Sequence, residues 1–231
     1  MDDDERASDD PDLELTIEGA AAHPEPDGNL RVLLQTTRGE IRAVLHPCAA
    51  SPRAAIYVGG ALGGFEGPAD GLYGRLAQRL RPSMSGVRLH YRQPGEFEEC
   101  VLDVLAGVSF LRGVGADGIV LVGHSFGGAV VIKAGELSPH VQGVASLSPQ
   151  LYGTRTVERL GKPLLLAHGM RDGVLDYRAS EDIYARAEEP KRIVLYADAD
   201  HSLMQSAQEV EDLLAEWLPA TANRAPAAGR N

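Results

Sequence analysis

Three short stretches of this chain, RAAIYVGG (residues 53–60), GIVLVG (118–123) and KPLLLAHG (162–169), are apolar at almost every position and close on glycine. A strand with one wet face alternates polar and apolar side chains. A run that does not alternate must be covered on both faces. Between these runs lie segments with helical spacing. Leu72, Tyr73, Leu76 and Leu80 share one face of residues 71–80, and Phe97, Val101, Val104, Leu105, Val108 and Leu111 recur through residues 96–112. Residues 125–137 are apolar nearly all round, which predicts a deeply buried helix. The alternation continues with strands at GVRLHY (86–91), VQGVASLS (141–148) and KRIVLYA (191–197). A helix is predicted near 177–189, and a last one carries Leu203, Ala207, Val210, Leu214 and Trp217 on one face.

Such an order predicts an α/β fold, a doubly wound, mostly parallel sheet with helices on both sides. One exception stands at the front. LRVLLQTTRGEIRAVLHPC (30–48) reads as two β-rich runs around a turn at Arg38-Gly39, an N-terminal antiparallel hairpin. With 231 residues, 44% of them hydrophobic, the chain suits one sizeable domain. Its expected extent is residues 30–218, with residues 1–29 a partly disordered acidic arm and residues 219–231 a flexible tail.

Charge narrows the partners. Seven acids and one base fall in residues 1–12, so −6 of the net charge of −11 sits there and the remainder is only mildly acidic. No basic patch exists to neutralise phosphates, which argues against nucleic acid. The acidic start lacks the basic and apolar regions of a secretory leader, and no apolar run approaches the length of a membrane span. Cys48 and Cys100 are far apart with no CxxC spacing, read as free or buried thiols. The expectation is a cytoplasmic protein with no membrane partner, its oligomeric state unreadable.

In open α/β sheets, ligands sit at the carboxyl ends of the strands. There the chain places Gly123-His124-Ser125-Phe126-Gly127, a G-x-S-x-G pattern between a strand and a helix. A sharp turn of that kind lifts the serine hydroxyl out over the sheet, and side chains two positions either side would strike backbone. A glycine-rich turn with a serine helix cap is the bland alternative. The strand before and the apolar helix after favour the elbow. A serine hydroxyl needs a base, and the base an orienting group. Asp172 ends the strand KPLLLAHG, and His201 follows KRIVLYA on the loop DADHSL. Asp176 reads instead as a helix-start acid, Asp198 and Asp200 as loop-shaping residues, His168 as packing beside the acid loop, and His124 as turned away from its neighbour.

In GHSFGG, HGMRDGVL and DADHSL, taken in order, the chain resembles the α/β-hydrolase superfamily over roughly residues 30–218. The resemblance implies Ser125 as nucleophile, His201 as base and then acid, and Asp172 as its orienting carboxylate. It also implies an oxyanion hole from the backbone N–H groups of Phe126 and of Ala61, in VGGALGGF. Gly59-Gly60 replaces the His-Gly of many relatives, so Leu62 is the alternative donor. Only PQLYGTRTVERLG separates Ser148 from Lys162, too short for a lid domain. That points to the lidless small serine esterases and dienelactone-hydrolase-like branch, although dienelactone hydrolases proper use cysteine where this chain has Ser125. The implied function is cleavage of a small-molecule carboxylic ester through an acyl-enzyme, with no metal or organic cofactor. Thioesterase, peptidase, acyltransferase or perhydrolase activity on the same residues, and a non-catalytic binding role, stand as alternatives. Leu62 and Tyr152 are candidate pocket residues, and Arg92 a candidate for an anionic group or a structural ion pair.

Overall fold

The computed structural model describes residues 13–224. In chain order the strands are β1 (Ile17–Pro24), β2 (Leu30–Thr36), β3 (Gly39–His46), β4 (Arg53–Val58), β5 (Ser85–His90), β6 (Gly118–His124), β7 (Val141–Leu147), β8 (Leu164–Gly169) and β9 (Lys191–Tyr196). The helices are α1 (Pro68–Leu80), α2 (Phe97–Gly113), α3 (Phe126–Leu137), α4 (Arg178–Arg186) and α5 (Ala207–Ala222). All nine strands join one sheet in the order β1-β2-β3-β5-β4-β6-β7-β8-β9. Pairing is antiparallel from β1 through β3 to β5 and parallel from β5 through β4 to β9. The mostly parallel sheet with an antiparallel front is as expected.

The non-alternating runs are explained by two cores. Ala54, Ile56 and Val58 of β4, Ile119 and Leu121 of β6, and Leu164 and Leu166 of β8 face one core, shared with α2, α3 and Ile183 of α4. The intervening Ala55, Tyr57, Val120, Val122, Leu165 and Ala167 face the other, shared with α1 and α5. A strand covered on both sides has no solvent-facing row to alternate with the core, so apolar residues fill nearly all of it. Among the described residues, no helix is long and apolar enough to cross a membrane.

Three expectations are corrected. Residues 17–24 do not belong to a loose arm: they form β1, in register with β2 from Ile17 opposite Thr36 to Pro24 opposite Leu30. Its sequence, IEGAAAHP, is small and mostly exposed, so backbone pairing holds it where no side-chain alternation could announce it. At the other end α5 runs through Pro219 to Ala222, past the boundary expected at residue 218. Thr221 and Ala222 are buried there, and that packing outweighs the proline's missing N–H. Leu203 is not part of the last helix. It stands before a 3-10 turn (Met204–Ser206) with φ of 59°, yet is fully buried in the core of α1 and α5. The acidic run at residues 1–12 and the end of the tail at 225–231 lie outside the described residues.

Candidate active site

The carboxyl ends of β4, β6, β7, β8 and β9 open on one edge of the sheet. At the end of β6, Ser125 adopts φ 60°, ψ −120°, a conformation that non-glycine residues occupy only when their surroundings impose it. The surroundings are tight. A Cβ on Gly123 would strike the Gly127 carbonyl, and one on Gly127 would strike the Gly59 carbonyl. The Ser125 N–H donates to Leu147 O at 2.8 Å, which ties the turn to β7. Phe126 is the first residue of α3, so its N–H has no acceptor within the helix.

The loop after β4 runs alongside. A Cβ on Gly60 would lie 3.7 Å from Ser125 Cβ. Gly63 N–H donates to Gly60 O at 2.9 Å and closes a tight turn with Ala61 and Leu62 at its tip. Ala61 is thus the residue directly after the one that lies against Ser125, while Leu62 is 93% exposed.

The three distant side chains meet. Ser125 Oγ lies 3.0 Å from His201 Nε2. His201 Nδ1 donates to Asp172 Oδ2 at 2.6 Å. The other carboxylate oxygen accepts the N–H groups of Val174 and Leu175, both at 2.8 Å. Burial alone would raise the Asp172 carboxyl. The Leu175 N–H, His201 and the Val174 N–H outweigh it, and hold the group below the usual carboxylate range. It is therefore an anion that fixes the imidazole with its proton on Nδ1 and its Nε2 lone pair toward the hydroxyl.

Two further histidines complete the site: His168, expected beside the acid loop but not as a donor to Asp172, and His124, whose contact with His201 was not foreseen. His168, fully buried, directs Nε2 at Asp172 Oδ2 (3.0 Å) and at Leu175 O (3.1 Å). Both are acceptors, so Nε2 carries the proton, and Nδ1 accepts from the Ser180 hydroxyl at 2.7 Å. Burial lowers its pKa, which keeps it neutral. His124 donates Nε2–H to the His201 carbonyl at 2.8 Å, and the two rings sit 4.8 Å apart. Burial pushes His124 down to about 4. The position of His168 beside the acid was readable from the strand end. The His124 contact joins residues 77 apart, and no local pattern signals it.

The other candidates fall outside the hydrogen-bonded chain. Asp176 accepts Arg178 N–H at the start of α4, Asp198 pairs with Arg171 at 2.6 Å, and Asp200 accepts from Ser202 and Gln205. Arg92 is buried against Glu99 (2.7 Å), Asp103 and the Arg38 carbonyl, a structural network rather than an open anion site. Tyr152 stands at the rim, 65% exposed. A cleft of about 500 Å³ opens at the opposite edge of the sheet, but no histidine or carboxylate lines it. Cys48 and Cys100 are free thiols, and among the described residues no three His, Cys, Asp or Glu side chains are grouped to hold a metal ion.

Comparison with known proteins agrees with this architecture. Est1E from Butyrivibrio proteoclasticus superposes with a TM-score of 0.70 at 17% identity, over 89% of this chain and 100% of that one. A dienelactone hydrolase from Anabaena variabilis gives 0.73 at 15% identity, over 84% and 97%. XC6422 from Xanthomonas campestris, described as an α/β serine hydrolase without lid, gives 0.68 at 20%, over 86% and 99%. At these identities the likeness is one of fold, and the fold is lidless α/β-hydrolase. The uncharacterized protein YfhR of Escherichia coli is 49% identical over 39 residues, which span 17% of this chain and only 14% of that protein. Residues 68–226, more than half of the sequence, match the profile of the dienelactone hydrolase family. With the strand order, the elbow and that match together, the chain belongs to the dienelactone hydrolase family, whose name denotes hydrolysis of a cyclic ester.

Proposed function

We propose that this protein hydrolyses a small-molecule carboxylic ester by acyl transfer through Ser125, His201 and Asp172. The observation that carries the reading is the unbroken chain from Ser125 Oγ to His201 Nε2 (3.0 Å) and from His201 Nδ1 to Asp172 Oδ2 (2.6 Å). Ser125 Oγ attacks the ester carbonyl carbon as its proton passes to His201 Nε2. The carbonyl π electrons move onto oxygen, and the N–H groups of Phe126 and Ala61 receive that oxyanion. Collapse expels the alkoxide, which takes the proton from His201 and leaves an acyl-Ser125. Water then gives a proton to His201 and attacks the acyl carbon, and Ser125 leaves with the proton returned. Asp172 stays ionised throughout and stabilises the imidazolium. Every proton moves between this chain and the substrate or water.

The family name and the esterases among the structural neighbours support the ester class. Ferulic acid is bound to Est1E in one of those neighbours, and others are acetyl xylan esterases, so the fold accommodates aromatic and small acyl groups alike. The test is a panel of p-nitrophenyl esters, acyl-CoA thioesters and anilides, run beside a fluorophosphonate probe. Wild-type protein should label at Ser125 and turn over the oxygen esters fastest. Ser125→Ala should abolish labelling and turnover while keeping the wild-type circular dichroism and melting temperature. Activity of Ser125→Ala near wild type defeats the mechanism, and faster turnover of the thioester defeats the ester assignment.

A further inference from the structure

Nine large apolar side chains are exposed among the described residues, and six of them stand at one edge of the sheet: Leu62, Leu151, Tyr152, Met170, Val174 and Met204. The other three lie elsewhere: Leu13 before β1, Val114 just after α2 and Leu137 at the last residue of α3. The six come from four loops, and each loop also holds or touches a group of the proposed mechanism. Leu62 is two residues from Gly60, which packs on Ser125. Leu151 and Tyr152 follow Gln150, whose N–H donates to Ser125 O at 3.4 Å. Met170 and Val174 flank Asp172, and Met204 is three residues beyond His201. Apolar side chains gathered on loops, where polar ones are the rule, mark a surface that something covers. All four loops bear on Ser125, His201 or Asp172, so the natural cover of this surface is the molecule that Ser125 attacks.

One part of the rim is rigid. The exposed Tyr152 ring meets Phe97 edge-on at 5.3 Å, and Phe97 meets Phe126 edge-on at 6.0 Å. Phe97 and Phe126 are both nearly buried. Gly153, at φ 85°, leaves free the space that Phe97 fills. The aromatic series leads from solvent to the residue whose N–H is proposed to hold the oxyanion. Tyr152 is therefore an exposed ring with one edge held against the buried Phe97, not a loose surface side chain.

We infer that these six side chains are the surface on which the apolar acyl group of the substrate lies, so that the substrate is an uncharged ester of a bulky apolar acid rather than an acetate. This rests on the ester-hydrolase reading. With no lid above it, the acyl group packs on an open rim and keeps part of its surface wet. Each added methylene then strengthens transition-state binding by about twofold, below the roughly fourfold of full burial.

The experiment measures kcat/KM for p-nitrophenyl acetate, butyrate and octanoate below their aggregation limits. Wild-type protein is compared with Leu62→Ser, Tyr152→Ser and Val174→Ser, and with Val114→Ser and Leu137→Ser as off-rim controls. Fluorophosphonate labelling and sedimentation are run on each. The expected result is a wild-type octanoate-to-acetate ratio of about sixty, twofold for each of the six added methylenes, lowered at least several-fold by each rim substitution and unmoved by the controls. If wild-type protein labels at Ser125 and cleaves esters but the ratio is flat, the acyl-surface inference fails while the ester reading stands. If there is neither labelling nor turnover, the ester reading fails first. If the rim substitutions instead convert a dimer to a monomer at constant ratio, the rim is a self-association surface and the inference is overturned.

Discussion

Asp172 Oδ2 serves two histidines at once, and that sharing defines the site at the scale of single residues. His201 Nδ1–H and His168 Nε2–H both donate to it, while two backbone N–H groups hold the other oxygen. The carboxylate is thus locked in one rotamer by four donors. Asp172→Asn should lower kcat by a factor on the order of 10³–10⁴ through the wrong imidazole tautomer, with the substrate KM little changed. His168→Leu leaves the His201 contact intact but frees one side of the carboxylate and strands the Ser180 hydroxyl. It should cost about 1–3 kcal/mol of stability, read by urea unfolding, and lower kcat far less than Asp172→Asn. His124 makes a different prediction. In the unfolded chain it titrates near the ordinary 6.5, whereas in the native protein it does so at about 4. Between these values the unfolded state binds more protons, so stability must fall as the pH drops from about 6.5 toward 4. His46, also pushed to about 4 by burial and the Arg88 and Arg81 charges, adds to the same slope. Urea midpoints at several pH values should show the decline, and His124→Gln should flatten it in part. An unchanged slope would contradict the burial of that imidazole in neutral form.

At the scale of elements, the β6-to-α3 turn joins fold to chemistry. Leu121 of β6 is fully buried in the core shared with α2 and α3. Leu121→Ala should cost about 2–5 kcal/mol from lost transfer energy and the cavity left behind, seen as a lower unfolding midpoint. A cost below about 1 kcal/mol would mean that this face of the strand is not packed as described. The helix α1 has a less visible part. Its first turn is left-handed at Ala69, Asp70 and Gly71, and the Ala69 N–H donates to Ser202 O at 2.8 Å. Arg75 bonds the carbonyls of Ala69 and Asp70 and pairs with Glu211 of α5. The loop that carries His201 is thereby braced from an element more than a hundred residues earlier in the sequence. Nothing in the spacing of Leu72, Tyr73, Leu76 and Leu80, which does announce the helix, discloses that brace.

For the whole molecule, the parallel part of the sheet sends every strand's carboxyl end to the same edge, and this alone explains how Ser125, Asp172 and His201 come to be neighbours. The local sequence determined a great deal. The runs that do not alternate required a doubly covered sheet, because consecutive apolar residues point to opposite faces and each face must then be kept from water. The glycines around Ser125 announced a sharp turn, because crowded backbone excludes Cβ atoms there. Asp172 and His201 were legible as residues placed just past strand ends. What only the tertiary structure decided are the relations between distant segments. These are the second histidine on Asp172, the clasp of His124 on His201, the edge pairing of an alanine-rich β1, the continuation of α5 past Pro219, and the gathering of six exposed apolar side chains from four loops. The physical reason is the same in each case. Periodicity and turn sterics act between near neighbours and leave their mark in the residue order, whereas contacts across the fold depend on loop paths and side-chain directions that packing alone selects.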